Sequence, residues 1–209
     1  MIIMQNASPR LSRAGSMMFP ARFIVGLVAA LSLAVGVSLP AQAGPNLVAN
    51  GGFESGDFTD WTPTGDSTFD GVQCPGPGPE VFEGLCYAFF GPSGTIGGIS
   101  QDIFVGPIGT PFILTFAFEP DGGTTSSFLA SFGGVTLLSL TDPAASPYQV
   151  YTFGGTTTAA IQPLAFSFRD DPGFLNLDAV TVTVPEPATI GLLGGGLIGL
   201  FFARRRKAR

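Results

Sequence analysis

The sequence predicts an all-β protein built as an antiparallel β-sandwich, and three observations lead to that prediction. Phenylalanine and leucine occupy every second position over residues 112–118 and 164–169, a pattern typical of strands with one buried face. Clusters of glycine, proline and aspartate interrupt the chain at short intervals, as turns between strands do. No helical periodicity occurs before residue 188. About eight short strands at this spacing are typical of a sandwich.

The predicted strands cover residues 85–90, 99–105, 112–118, 127–132, 135–140, 148–153, 164–169 and 175–184. Gly133 and Gly134 join two of these runs, which predicts a tight hairpin turn. In the last strand Leu177 lies on one parity and Val180 on the other. If both face the core, the strand must contain a β-bulge between them.

The first 43 residues have the layout of a secretory signal peptide. Basic residues precede an apolar stretch over residues 23–39, and an Ala-x-Ala cleavage site ends at Ala43. We therefore predict export by the Sec machinery and cleavage before Gly44. Met17 and Met18 are alternative start residues, because the first 16 residues fit a signal peptide poorly.

Residues 44–184 are long enough for one domain with one hydrophobic core. This segment contains fourteen carboxylates and a single basic residue, Arg169, so that its formal charge is −13. Such a surface repels nucleic acid and anionic lipid headgroups, which excludes both as partners. The negative charge of this segment either attracts cations or serves only to keep the domain soluble.

Cys74 and Cys86 both lie in this segment, and two cysteines in an oxidising compartment predict a disulfide bond. The bond would close a loop that contains three prolines, Pro75, Pro77 and Pro79. A thiolate metal site is not expected, because the chain has no histidine to complete one.

The C-terminal residues 185–209 consist of three consecutive parts. The tripeptide Pro185, Glu186 and Pro187 ends the folded domain, because proline cannot continue a strand ladder. An apolar run over residues 188–203 would form a helix of roughly 24 Å, slightly short of a ~30 Å hydrocarbon core. The basic stop is formed by Arg204, Arg205, Arg206 and Lys207, and it stays on the cytoplasmic side of a membrane.

This C-terminal arrangement resembles the PEP-CTERM sorting signal of exopolysaccharide-producing Gram-negative bacteria. Residues 185–187 match the motif and residues 204–206 match its basic cluster. The resemblance implies an exosortase as partner, transient anchoring in the inner membrane and final release to the cell surface or outside the cell. An ordinary C-terminal membrane anchor is the alternative.

Two further segments resemble galactose-binding-like jelly rolls, the fold of many carbohydrate-binding modules. Residues 50–61 match the opening of that fold, and residues 174–183 match its closing strand except that Ala179 replaces an aspartate. The resemblance implies a jelly roll over residues 46–184. It also implies a structural calcium ion where the first and last strands meet, at Glu54 and Asp178. The alternative is that both carboxylates accept backbone amide hydrogen bonds.

The residues argue against an enzyme. The absence of histidine excludes histidine-dependent nucleophile systems, and only a paired-carboxylate glycosidase remains. The densest acidic pair, Asp170 and Asp171, is more simply a turn beside Arg169.

We therefore interpret the chain as an exported structural or interaction protein of an exopolysaccharide or biofilm matrix. The alternative is a glycan binder, for which Trp61 and Tyr87 are the candidate contacts, although Trp61 in the opening motif also suits the core.

Overall fold

The computed structural model describes residues 44–185 and Gly196. The described residues form ten strands in two sheets of five, and the prediction of an antiparallel sandwich is confirmed. The strands are β1 (Thr62–Gly65), β2 (Gly71–Gln73), β3 (Tyr87–Phe90), β4 (Gly97–Phe104), β5 (Pro111–Glu119), β6 (Ser126–Phe132), β7 (Val135–Thr141), β8 (Gln149–Thr156), β9 (Ile161–Asp170) and β10 (Leu175–Thr183).

The first sheet has the strand order β1-β4-β9-β6-β7 and the second has the order β2-β3-β10-β5-β8. Neighbouring strands pair antiparallel throughout. Most consecutive strands lie in opposite sheets, so the chain crosses repeatedly between the two layers. This is the jelly-roll form of the sandwich.

The core lies between the sheets and is dominated by phenylalanine. Alternate residues of β5 and β9 point inward, as their sequence pattern predicts. The rings of Phe90 and Phe168 stack with centroids 3.8 Å apart, and those of Phe118 and Phe128 stack at 4.0 Å. Stacked aromatic pairs join residues from the two sheets, so the aromatic stripe is packing and fixes one sheet on the other.

The predicted hairpin and bulge are both present. Gly133 and Gly134 connect β6 to β7 with φ values of 60° and 78°, which a two-residue primed turn requires. The register of β10 against β5 shifts between Asp178 and Thr181. Leu177 and Val180 are consequently both buried in the core.

The sequence patterns missed β1 and β2. Both strands are short and lack alternating apolar residues, because they form the sheet edges beside β4 and β3.

The predicted disulfide between Cys74 and Cys86 is present. The predicted signal peptide, membrane helix and basic stop lie outside the described residues. Within the part of the chain that is described, no helix has the length and apolar character needed to cross a membrane.

Candidate functional site

The loop between β2 and β3, residues 74–86, packs on the outer face of the second sheet. The backbone N–H groups of Phe82 and Glu83 each donate to Asp178 Oδ2 at 3.0 Å. The Phe82 ring lies 5.7 Å from that of Tyr148, and the Tyr148 hydroxyl donates to the Glu80 carbonyl at 3.4 Å. One end of this outer face is therefore covered by the loop.

Glu54 and Asp178, where the resemblance implies calcium, both bind the end of this loop. Glu54 Oε1 accepts the N–H groups of Leu85 at 2.8 Å and Cys86 at 3.2 Å. Asp178 Oδ1 accepts the N–H of Ala179 at 2.6 Å. Three of the four carboxylate oxygens thus accept hydrogen bonds from backbone amides, whereas calcium needs six to eight oxygen ligands. The arrangement fits amide anchoring better than a metal cage, and calcium binding here stays a prediction.

The electrostatic setting of Asp178 agrees with this role. Burial raises the pKa of Asp178 to about 6, the three N–H donors oppose that rise, and the charge of Glu54 adds to it. Among the described residues no three histidine, cysteine or acidic side chains converge as a metal site would require.

The uncovered end of the same face contains a groove of about 480 Å³. Three segments form it: residues 119–121 after β5, residues 145–147 before β8, and Phe174 with Asn176 at the start of β10. Asn176 Nδ2 donates to Glu119 Oε2 at 3.1 Å, which holds an amide and a carboxylate side by side in the groove.

Phe174 is the aromatic residue of this groove, and 47% of its surface is exposed. Its ring packs edge-on against Phe89 at 5.4 Å, and its N–H donates to Asp121 Oδ2 at 3.3 Å. Sequence reasoning missed this residue. The signal was available, because Leu175 and Leu177 face the core and Phe174 and Asn176 therefore lie on the outward parity.

The two residues predicted as glycan contacts are buried instead. Trp61 is 5% exposed, its ring stacks on Phe53 at 5.9 Å, and its Nε1 donates to the Asn50 carbonyl at 3.1 Å. Tyr87 is 6% exposed and its hydroxyl donates to Gln73 Oε1 at 2.9 Å. Stacking on a sugar requires an exposed ring face, so neither residue can serve as predicted. Trp61 is core, and Tyr87 is a buried residue of β3.

The acidic pair Asp170 and Asp171 divides into two different environments. Asp171 Oδ2 accepts two bonds from Arg169, at 2.6 and 2.9 Å, and these bonds lower the pKa of Asp171. Asp170 is 1% exposed at the end of β9. Burial raises the pKa of Asp170 to about 6, and the neighbouring Asp121 adds to the rise.

Comparison with known protein families identifies the C-terminal segment. Residues 183–207 match the family model described as the PEP-CTERM protein-sorting motif. The chain carries a PEP-CTERM sorting motif. This match confirms the resemblance seen in the sequence, and the motif indicates an exported protein. The match covers the sorting segment and does not describe the sandwich.

Solved structures with a similar fold include carbohydrate-binding modules. One is TmCBM61 in complex with beta-1,4-galactotriose, with 18% identity, a TM-score of 0.56 and coverage of 68% of this chain and all of that one. A further solved structure with a similar fold is the enzymatically active domain of tailspike protein 4 of bacteriophage CBA120, with 17% identity and a TM-score of 0.53. That alignment covers 66% of this chain but only 21% of the tailspike chain. These likenesses confirm the jelly roll, and no curated protein matches the sequence.

Proposed function

We propose that the protein is a non-catalytic component of the cell surface or extracellular matrix that binds a polysaccharide in the groove at Phe174. In this proposal the Sec machinery exports the chain, its C-terminal segment anchors it transiently in the inner membrane, and an exosortase processes it at the PEP-CTERM motif. The groove is the observation that carries the binding role.

The groove has the chemistry of a sugar site. The exposed ring of Phe174 offers an apolar face to the C–H side of a sugar ring, while Asn176 and Glu119 offer a donor and acceptors to hydroxyl groups. The edge-on contact with Phe89 holds the Phe174 ring in place. A rigid aromatic residue beside fixed polar groups binds a sugar with little loss of side-chain entropy.

The charge of the domain indicates which polysaccharides fit. Glu119 and Asp121 both line the groove, and no lysine occurs in residues 44–185. Uronic acids and sulfated sugars would be repelled by these carboxylates. The proposed ligand is therefore a neutral polysaccharide, and the galactotriose bound by TmCBM61 is a ligand of this kind.

A glycosidase role is disfavoured by the position of the acidic residues. A catalytic acid must reach the glycosidic oxygen and needs a raised pKa. Asp170 and Asp178 have raised pKa values but are buried, so a substrate cannot contact them, and Asp70, whose pKa is also raised, does not line the groove.

Substitution of Phe174 by alanine tests the binding role. The purified full chain should bind a neutral polysaccharide in affinity electrophoresis, and Phe174→Ala should weaken binding at least about tenfold, because a buried aromatic contact contributes roughly 1.5–3 kcal/mol. The matched control is Phe104→Ala, since Phe104 is 68% exposed on β4 of the other sheet. Equal binding by wild type and Phe174→Ala across a panel of neutral glycans would refute the proposed site.

A further inference from the structure

Asp121 and Asp170 bring two carboxylates together from distant parts of the chain. Asp121 follows β5 and Asp170 ends β9, and both lie against the same two glycines. A methyl group added to Gly123 would lie 2.7 Å from Asp170 Oδ1 and 3.2 Å from Asp121 Oδ1. A methyl group added to Gly173 would overlap Asp121 Oδ2 and lie 2.9 Å from Asp170 Oδ2. The glycines thus leave room around paired acidic oxygens.

Asp170 is the unusual member of the pair. Both of its carboxylate oxygens are fully buried, and neither accepts a hydrogen bond from an N–H or O–H donor within residues 44–185. The Asp121 carboxyl lies within hydrogen-bonding reach of Asp170 when one of the two carries a proton. Buried polar atoms in proteins are nearly always paired, and an unpaired buried charge is costly. Asp121, by contrast, accepts N–H bonds from Gly123 at 2.7 Å and from Phe174 at 3.3 Å.

The described part of the chain offers no countercharge for this pair. Arg169 is the only basic side chain among residues 44–185, and both of its bonds go to Asp171. A partner for Asp170 therefore comes from solution, as a water molecule, as a proton shared between the two carboxylates, or as a metal cation.

A third oxygen favours the cation. The Pro172 carbonyl oxygen lies 3.4 Å from the same point beside Gly123 that both carboxylates surround. A proton shared between the two carboxylates gives the Pro172 carbonyl no partner and provides a hydrogen bond to only one oxygen of Asp170. A hard divalent cation accepts carboxylate and carbonyl oxygens together and fills its remaining positions with water. We propose that Asp121 and Asp170 bind a calcium ion with the Pro172 carbonyl.

This site differs from the one predicted at Glu54 and Asp178. Asp178 pairs with Ala117 on β5, and Asp121 lies four residues further along the chain, a distance of roughly 13 Å at the rise of a strand. The ion would join the β5–β6 connection to the β9–β10 turn, directly beside the backbone of Phe174. The inference does not depend on polysaccharide binding.

The experiment measures calcium binding by the full chain purified in a mild detergent and stripped with a chelator. Isothermal titration calorimetry should show saturable binding, with an affinity between about 10⁻⁵ and 10⁻³ M as in extracellular modules, and calcium should raise the melting temperature. Asp170→Asn should weaken binding at least about tenfold. Asp121→Asn should do the same, and because Asp121 is exposed this variant is the safer one for folding.

Two control variants make the result decisive. Asp102→Asn removes one exposed carboxylate from β4 and should bind calcium like the wild type. Asp178→Asn removes a carboxylate of the Glu54 site and leaves Asp121 and Asp170 unchanged, so this variant should retain calcium binding. Loss of binding in Asp178→Asn with retention in Asp121→Asn would overturn the proposal in favour of the Glu54 site. No calcium binding by the wild type up to about 10 mM would also overturn it, since extracellular calcium sites bind more tightly than this.

Discussion

Asp70 shows how burial of a single carboxylate contributes to the pH dependence of this fold. Its Oδ1 accepts the N–H of Gly91 at 3.2 Å, and its Oδ2 is buried with no hydrogen-bond partner among the described residues. Burial raises the pKa of Asp70 from 3.8 to about 6, and the negative charge of Asp66 adds to the rise. The folded protein therefore holds this proton more tightly than the unfolded chain does.

The contribution of Asp70 to stability should consequently be largest below pH 4 and should decrease as the pH rises to about 6. Asp70→Asn mimics the protonated carboxyl. It should raise the free energy of unfolding at pH 7 by about 1 kcal/mol, after allowance for partial exposure, and change it little at pH 4. Urea denaturation of both proteins at the two pH values measures this difference. Parallel pH profiles for wild type and Asp70→Asn would show that the carboxyl is not perturbed.

At the scale of elements, the bulge in β10 decides which residues face the core and which face the groove. It places Leu177 and Val180 inside, and it leaves Asp178 on the outer face for the amides of the covering loop. Ala179 at the bulge has a φ of 51°. That conformation costs an L-residue with a Cβ roughly 1 kcal/mol or more and suits glycine, asparagine and aspartate.

Ala179→Gly should therefore leave stability unchanged or raise it by up to about 1 kcal/mol. The control is Ala165→Gly in regular β9, where the same substitution should lower stability by about 0.5–1 kcal/mol. Thermal melts of the two variants check the contrast. A destabilisation of equal size at both positions would contradict the left-handed backbone at Ala179.

The features that could be predicted from the sequence are those encoded within one short segment of the chain. Alternation in β5 and β9 predicted their inward faces, the parity change predicted the bulge, and the two glycines predicted the β6–β7 hairpin. The edge strands β1 and β2 were missed because short polar edges carry no such alternation.

The candidate sites depend on residues that are far apart in sequence, and local patterns do not bring these together. The groove joins residues 119–121, 145–147 and 174–176 only because β5, β8 and β10 are neighbours in one sheet. Trp61 and Tyr87 were wrong as sugar contacts for the same reason, since their burial is decided by tertiary packing. The pairing of Asp170 with Asp121 was equally invisible.

At the scale of the whole molecule, the chain separates an acidic sandwich from two basic terminal segments. All but one of its fifteen acidic residues lie in residues 44–184, and all but one of its nine basic residues lie outside that range. Such a division suits an exported domain whose terminal segments direct transport and are then removed. The PEP-CTERM motif at residues 183–207 is the finding that places this chain among exported proteins.

The mature termini of the protein test this account most directly. Intact-mass spectrometry should be performed on protein recovered from the surface or medium of a host that contains an exosortase. We expect a chain that begins at Gly44 and ends close to the Pro185, Glu186 and Pro187 motif, whereas replacement of these three residues by alanine should leave the C-terminal segment attached. A full-length product confined to the cytoplasm, or identical mature C-termini in both versions, would contradict the account.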